Sequence, residues 1–241
     1  MLRAITLDYW DTIYAGASEP ERVRRRQEAL WHLVAAHGAT LSHEAFLDVY
    51  RASAVEAHRW WRDEARGYHT VDRIDWICDA VGLGGERIPR PDREAAAARV
   101  DQTLVDVPAP LLAGAADAVR RLGERYRLAI ISDTGFASGR AQDALLERDG
   151  LRGAFTATIY SMDVGHAKPR PEIFAAALQA LGYVPGEVLH VGDNERTDVG
   201  GALAAGLRAI RLDAVREGGD SRAEHVAQSL PALADYLLSA P

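Results

Sequence analysis

Apolar residues are spread along the chain in two distinct patterns. Short runs, partly β-branched and bounded by polar clusters, alternate with longer stretches in which apolar residues recur at helical spacing. The first pattern is typical of buried β-strands and the second of amphipathic helices. The short runs predict strands over residues 2–7, 128–131, 157–160, 188–191 and 208–212.

The helical segments fall into two groups. Between the first two predicted strands, residues 15–107 contain only helical periods, with Ser42 and Thr70 as expected N-caps. This group predicts helices over residues 20–36, 43–66, 74–81 and 91–105. After residue 108 helices alternate with strands, and they are predicted over residues 111–125, 140–147, 171–181, 199–205 and 223–238. Such alternation predicts an α/β fold with a doubly wound parallel sheet.

Composition narrows the class of protein. The chain has 241 residues, of which 48% are hydrophobic and 26% charged, as in soluble globular proteins. A formal net charge of −7 argues against nucleic-acid binding, which depends on clustered Lys and Arg. No apolar stretch reaches the ~18 residues of a membrane span, and Asp8 and Asp11 interrupt the apolar N-terminus, unlike in a secretory signal. The single cysteine, Cys78, excludes an intramolecular disulfide. We therefore expect a cytoplasmic protein without nucleic-acid or membrane partners.

Polar residues follow four of the predicted strands, where each strand ends. They are Asp8, the pair Ser132 and Asp133, Lys168 and Asp193. Because ligands gather outside the carboxyl ends of parallel strands, we expect these side chains to converge. Carboxylates beside a lysine suit a site that binds a hard cation and an anion together, as Mg²⁺ and a phosphate. Lys168 is the only lysine among 28 basic residues, which favours a specific task for it.

Four sequence segments resemble the signature motifs of the haloacid dehalogenase-like (HAD) superfamily, in order and in spacing. They read LDYWDT, IISDTG, AKPRPEIF and HVGDNERTDVGGALAAG. The resemblance implies a Rossmann-like α/β core over residues 1–14 and 108–241. It also implies a helical cap domain over residues 15–107, inserted after the first motif.

The resemblance implies a role for each strand-end residue. Asp8 is expected to attack phosphorus and to form an aspartyl-phosphate. Asp8 and Asp193, with the backbone carbonyl of Trp10, are expected to hold Mg²⁺. Asp198 is expected in the outer shell of the metal, where it orients a ligand water or Lys168.

The remaining expected roles concern the transferred phosphoryl group. Ser132, Asp133 and neighbouring amides are expected to bind the substrate. Lys168 is expected to place a compact ammonium against the nucleophile and the phosphoryl oxygens, a task for which a planar guanidinium has the wrong shape. The expected substrate is a small phosphorylated metabolite.

One position departs from the family pattern. Phosphatases of this family usually carry a second aspartate two residues after the nucleophile, as acid and then base, and Trp10 stands there. An indole donates a hydrogen bond but does not titrate. Asp11 is one residue too far along. General acid–base catalysis typically contributes about 10²–10⁴-fold, so the substitution affects the expected chemistry.

Three interpretations follow from Trp10. The first is a phosphatase whose substrate has a good leaving group, or in which Asp133, His58 or His69 supplies the proton. The second is 2-haloacid dehalogenation, which needs no proton for the halide, although Asp193 then adds a negative charge facing an anionic substrate. The third is a binding protein whose catalytic site has decayed.

The segment HRWWRDEARGYHT of the predicted cap is the most unusual stretch of the chain. Its aromatic residues Trp60, Trp61 and Tyr68 are more typical of a core or an interface than of a substrate pocket. If they face the site, they favour an aromatic or apolar leaving group, with Arg59 or Arg62 binding a distal anion.

Overall fold

The structure is a computed structural model that describes residues 1–17, 19–215 and 218–239. Six strands occur in the described residues: β1 (Ala4–Leu7), β2 (Arg127–Ser132), β3 (Phe155–Tyr160), β4 (Val188–Gly192), β5 (Arg208–Leu212) and β6 (His225–Ala227). They pair in parallel, in the order β3-β2-β1-β4-β5-β6. This is the order of a doubly wound sheet, with a topological switch between β1 and β4. The predicted fold class is confirmed.

Ten α-helices occur in the same described ranges: α1 (Pro20–Ala36), α2 (His43–Glu64), α3 (Thr70–Ala80), α4 (Arg90–Asp106), α5 (Ala115–Arg125), α6 (Gly139–Arg148), α7 (Ser161–Val164), α8 (Pro171–Leu181), α9 (Gly200–Ala204) and α10 (Leu230–Ser239). None of these helices is long and apolar enough to cross a membrane.

Helices cover both faces of the sheet. Because side chains alternate along a strand, Ile5 and Leu7 of β1 pack with α5, α6 and α10, whereas Ala4 packs with α8 and α9 on the other face. The central strand β1 is therefore buried along its whole length. The carboxyl ends of β1, β2 and β4 form one edge, where the site lies.

The helices α1 to α4 have an apolar cluster of their own, separate from the two clusters of the sheet. Phe46, Ile74 and Ile77 are buried in it, and Phe136, from the loop after β2, packs into the same cluster. The predicted cap Ser42 accepts a hydrogen bond from the Ala45 N–H at 3.2 Å. At α3 the N-cap is His69 rather than the predicted Thr70. The cap-domain boundaries at residues 15 and 107 stay a prediction.

The predicted C-terminal helix over residues 223–238 is wrong in its first part. Residues His225–Ala227 form β6, which pairs with β5, and the helix begins only at Leu230. Leu233, Ala234 and Leu237 of α10 are buried in the core cluster of the sheet, so this helix packs against the sheet and contributes to its core.

Candidate active site

A cavity of about 430 Å³ lies at the carboxyl ends of β1, β2 and β4. Its wall on the sheet side includes Asp8, Asp133, Lys168, Asp193 and Asp198. With Trp10, which also lines it, the cavity brings together six of the seven predicted site residues, as expected for a topological switch point. A larger cavity, of about 750 Å³, lies at the opposite ends of the strands and contains none of them.

Lys168 is the centre of the acidic cluster. Its side chain is buried, at 2% exposure of the residue. Nζ donates to Asp8 Oδ1 at 2.5 Å, to Asp198 Oδ1 at 2.7 Å and to the Ile131 carbonyl at 3.2 Å. The three N–H groups of the ammonium thus have three acceptors. Burial alone lowers the pKa of Lys168, but Asp198, Asp8 and Asp133 outweigh it and raise the pKa above its usual value, so Lys168 stays charged.

Asp8 follows β1 directly and its backbone N–H donates to the Val191 carbonyl of β4, which extends the pairing of the two strands. Its carboxylate is buried and bonded to Lys168. Burial raises the pKa of Asp8 well above its usual value. Lys168 opposes this rise, and the carboxylates of Asp198 and Asp193 add to it. Negative charge is therefore crowded at this end of β1.

Asp198 holds Lys168 from the other side. Its Oδ1 also lies 3.2 Å from His190 Nε2, and its Oδ2 accepts the Asn194 N–H at 2.9 Å. Burial raises the pKa of Asp198, but Lys168 and His190 outweigh it and lower the pKa below its usual value. Both oxygens are thus engaged, one of them with Lys168. The predicted outer position of Asp198 at the metal stays a prediction.

His190 and Gly192 of β4 support this arrangement. His190 is the first residue of the fourth motif, and the resemblance assigned it no role. His190 Nδ1 lies 2.9 Å from Thr6 Oγ1, so the imidazole bridges β1 and Asp198. At Gly192 a Cβ atom would lie 2.3 Å from Asp198 Cγ. Glycine is required here by this close approach.

Three carboxylates are close enough to share a cation. Asp8, Asp193 and Asp198 each offer one oxygen, and these oxygens lie within 4.8 Å of one another. Carboxylate oxygens suit a hard divalent ion such as Mg²⁺, which proteins usually bind through one or two carboxylates. These residues fit the predicted metal, and the backbone carbonyl of Trp10 as a further ligand stays a prediction.

Asp133 connects three parts of the site. Its Oδ1 accepts the backbone N–H of Lys168 at 2.9 Å, and its Oδ2 accepts Trp61 Nε1–H of α2 at 2.7 Å. Burial raises the pKa of Asp133, and Lys168 and Trp61 oppose that rise. Asp133 thereby ties the loop after β2 to the lysine loop and to α2.

Ser132 is fully buried and its Oγ donates to Gln142 Oε1 at 2.8 Å. From the loop after β2, the cavity wall described here includes Asp133, Thr134 and Gly135 but not Ser132. The predicted contact of Ser132 with substrate stays a prediction.

The two residues after Tyr9 have different surroundings. Trp10 lines the cavity, and its ring meets the Tyr9 ring edge-to-face, with centroids 4.8 Å apart. Asp11 has a left-handed backbone, with φ of 54°, and its Oδ1 accepts the Gly16 N–H at 2.7 Å. Aspartate tolerates this conformation better than most residues, which gives Asp11 a role in the turn. Asp11 lines the cavity as well, so the departure from the family pattern is confined to position 10, where a ring that does not titrate faces the site.

Helices α2 and α3 close the other side of the cavity. Trp61 and Tyr68 line it together with His58, whereas Trp60 is packed in a small core cluster. Arg73, which the motifs do not single out, also lines the cavity.

The predicted anion-binding residues Arg59 and Arg62 lie elsewhere. Both are exposed, and they pair with Glu56, Glu64 and Asp63. Only the packing of the helices distinguishes Arg73 from these two.

Comparison with known proteins assigns the family. The model of the haloacid dehalogenase-like hydrolases matches residues 2–206, so the chain belongs to this family and is a hydrolase of the HAD type. It is 29% identical over 218 residues to the 5-amino-6-(5-phospho-D-ribitylamino)uracil phosphatase YigB of Escherichia coli, covering 86% of this chain and 82% of that protein. The family predicted from the four motifs is confirmed.

Two solved structures whose names give different activities share the fold. A 2-haloacid dehalogenase of Pseudomonas syringae superposes with a TM-score of 0.71 at 20% identity, over 99% of both chains. An HAD phosphatase of Thermococcus onnurineus gives 0.67 at 22% identity, over 99% of this chain and 98% of the other. The fold therefore does not decide between the two reactions, and the decision rests on the site.

Proposed function

We propose that this hydrolase is a Mg²⁺-dependent phosphatase that acts on a small phosphorylated metabolite through an aspartyl-phosphate on Asp8. The observation that carries the proposal is the charge balance of the strand-end cluster. The carboxylates of the four predicted site residues Asp8, Asp133, Asp193 and Asp198 line the cavity with the ammonium of Lys168, and the carboxylate of Asp11 lines it too. Such a cluster repels an anionic substrate unless a cation is added, and the oxygens within 4.8 Å of one another suit one.

The chain's own groups divide the reaction between them. An Asp8 oxygen bonds to phosphorus while the ester P–O bond breaks and its electron pair leaves with the alcohol oxygen. Water then attacks the aspartyl-phosphate, which releases inorganic phosphate and restores the carboxylate. Lys168 holds Asp8 and offers positive charge to the phosphoryl oxygens, while Asp198 and His190 keep Lys168 in place. Mg²⁺, held by Asp8, Asp193 and the Trp10 carbonyl, supplies charge neutralisation when bound.

The proton for the leaving oxygen needs a source other than residue 10. Both oxygens of Asp133 accept hydrogen bonds, from Lys168 and from Trp61. His69 caps α3 and lines a different cavity. His58 lines the catalytic cavity, with its ring 5.3 Å from the Trp61 ring. We therefore assign the proton to His58, or to a leaving group acidic enough to depart without one.

Dehalogenation is the second candidate, because Trp10 is compatible with a halide that needs no proton. Against it stand the four carboxylates, which disfavour a 2-haloacid without a metal. The E. coli relative, whose name gives a phosphatase activity, also supports phosphoryl transfer. The single cysteine supports the cytoplasm as the place of this activity.

One assay separates these candidates. Purified protein is incubated with a panel of small phosphate monoesters and 2-haloacids, with Mg²⁺ or with EDTA, and phosphate and halide release are measured. We expect phosphate release that requires Mg²⁺ and no halide release. Halide release that EDTA leaves undiminished contradicts the proposal, and absence of turnover with every compound favours a binding protein.

A further inference from the structure

Arg73 of α3 is a buried cation on the helical wall of the catalytic cavity. The residue is 8% exposed. Its Nε donates to Ser53 Oγ at 3.0 Å, and its guanidinium carbon lies 3.7 Å from the centre of the Phe136 ring and 5.4 Å from that of Tyr50. These contacts orient the guanidinium without neutralising it.

The surroundings of Arg73 are unusual for so buried an arginine. Across residues 1–17, 19–215 and 218–239, no carboxylate lies within ion-pairing distance of its guanidinium. Burial lowers the pKa of Arg73, and the groups that oppose this shift are the hydroxyls of Tyr50 and Tyr68, which carry no charge at neutral pH because burial raises the pKa of both. Buried charges are normally paired, because removing an ion from water costs several kcal/mol.

Arg211 shows the usual solution. It is 4% exposed, and it forms ion pairs with Asp213 at 2.7 Å and Glu195 at 3.5 Å. Lys168 is likewise bonded to two carboxylates. Arg73 therefore differs from these buried cations in having only a hydroxyl and aromatic rings around it.

The neighbourhood of Phe136 adds positive charge. Arg26 stacks on the same ring at 5.8 Å, and its Nε donates to Thr103 Oγ1. Arg26 lines a small adjoining cavity of about 180 Å³ that shares Trp10 and Gly135 with the catalytic cavity. The catalytic cavity is thus acidic on the sheet side and cationic on the helical side.

Given the proposed phosphatase activity, we infer that Arg73 binds a second anionic group of the substrate, carried by the part that leaves when the phosphoryl group is transferred. The second group is a carboxylate or a second phosphate, which a guanidinium can bind through two parallel hydrogen bonds. Trp10, Trp61 and Tyr68 line the same cavity and suit a short apolar or flat connection between the two anionic groups. Arg73 is then a specificity-determining residue for doubly anionic monoesters.

Matched substrate pairs test this assignment. Each pair consists of a doubly anionic phosphate monoester and an analogue without the second anion: carboxyphenyl and carbamoylphenyl phosphate, phosphoserine and phosphoethanolamine, propanediol bisphosphate and its monophosphate. The first two pairs test a carboxylate and the third tests a second phosphate. We expect kcat/KM to favour the doubly anionic member of at least one pair about 10- to 100-fold, as for a charge-assisted hydrogen bond.

Variants assign the preference to a residue. Arg73→Gln should abolish the preference, and the loss should appear in KM for the doubly anionic member rather than in its kcat. Arg73→Lys keeps the charge without the planar fork and should retain part of the preference. Arg62→Gln, which changes an exposed arginine of α2 paired with Asp63, is the matched control and should change nothing. A preference that is absent from every pair, or that survives in Arg73→Gln, overturns the assignment.

Binding of inert phosphonates separates this assignment from the proposed function. Calorimetry with Mg²⁺ compares carboxyphenylphosphonate with phenylphosphonate, neither of which can be hydrolysed as an ester. We expect tighter binding of the carboxylate compound by wild type and by Arg62→Gln, and equal binding of the two by Arg73→Gln. This result without any phosphatase turnover keeps the anion site and rejects the phosphatase. Phosphatase turnover, together with equal binding of the two phosphonates by wild type, keeps the phosphatase and rejects the anion site.

Discussion

The catalytic cavity contains two buried cations that are held in opposite ways. Lys168 contacts two carboxylates and a carbonyl, whereas Arg73 contacts a hydroxyl and two aromatic rings. The charge of Lys168 is compensated within the protein, which supports the proposed role of Lys168 in holding Asp8 in place. The charge of Arg73 is left for a ligand. The sheet side of the site is thus organised for a reaction, and the helical side for recognition.

Asp8→Asn changes the sheet side most severely. Asparagine has nearly the same shape but is a far weaker nucleophile, so we expect turnover to fall on the order of 10⁴-fold or more while the fold persists. Asp48→Asn, which changes an exposed carboxylate of α2 paired with Arg51, is the matched control. Phosphate release and circular dichroism measure both variants. Wild-type rates in Asp8→Asn rule out the covalent route.

Asp193→Asn tests the metal separately from the nucleophile. It removes one of the two carboxylates proposed as direct ligands, and even outer-shell changes at metal sites cost about 10–100-fold. We expect Mg²⁺ affinity, measured by calorimetry, to fall by at least about tenfold, with activity partly recovered at high Mg²⁺. The control is Asp117→Asn, an exposed carboxylate of α5. An unchanged Mg²⁺ affinity in Asp193→Asn removes this residue from the metal site.

The two sides of the cavity also differ in how far the sequence predicts them. Asp8, Asp133 and Asp193 directly follow strands, and a parallel sheet brings strand ends together, so order along the chain places them. Lys168 lies beyond β3 and the short helix α7, and its place in the AKPRPEIF motif is needed to predict it. Arg73 is one of many arginines on helices, and only tertiary packing decides which of them faces the cavity.

Two further differences between the prediction and the structure also arise from tertiary packing. His190 lies inside β4, where the pattern indicates a strand residue but not its partner Asp198. The short β6 escaped prediction because its three residues precede a helix, and pairing with β5 rather than local pattern makes them a strand.

Trp10→Asp sharpens the comparison by adding an acid to the sheet side. A titratable group near the leaving oxygen should raise kcat/KM for alkyl phosphates about tenfold or more, because an alkoxide needs a proton to depart. Aryl and acyl phosphates should gain much less, so the effect should grow with the pKa of the leaving group. The measurement is kcat/KM over a leaving-group series, with circular dichroism as the control for folding. An equal loss across the series shows that another residue already supplies the proton.

Trp61→Phe addresses the contact between the two sides and has the smallest expected effect. The variant keeps an aromatic ring beside His58 and Arg196 but removes the Nε1–H that donates to Asp133, whose other oxygen accepts the Lys168 backbone N–H. Loss of one such bond typically costs about 0.5–1.5 kcal/mol, which corresponds to a two- to tenfold change.

We expect this change in KM for phenyl phosphate, with little change in kcat. The lost hydrogen bond joins α2 to the sheet, whereas the hydrogen bond from Lys168 to Asp8 is left intact. Trp31→Phe is the matched control, since Trp31 packs against His43 and Phe46 in the helical cluster. A larger loss of kcat than of substrate affinity in Trp61→Phe would mean that Asp133 positions Lys168 for the chemical step. In that case the helical side contributes to the reaction as well as to recognition.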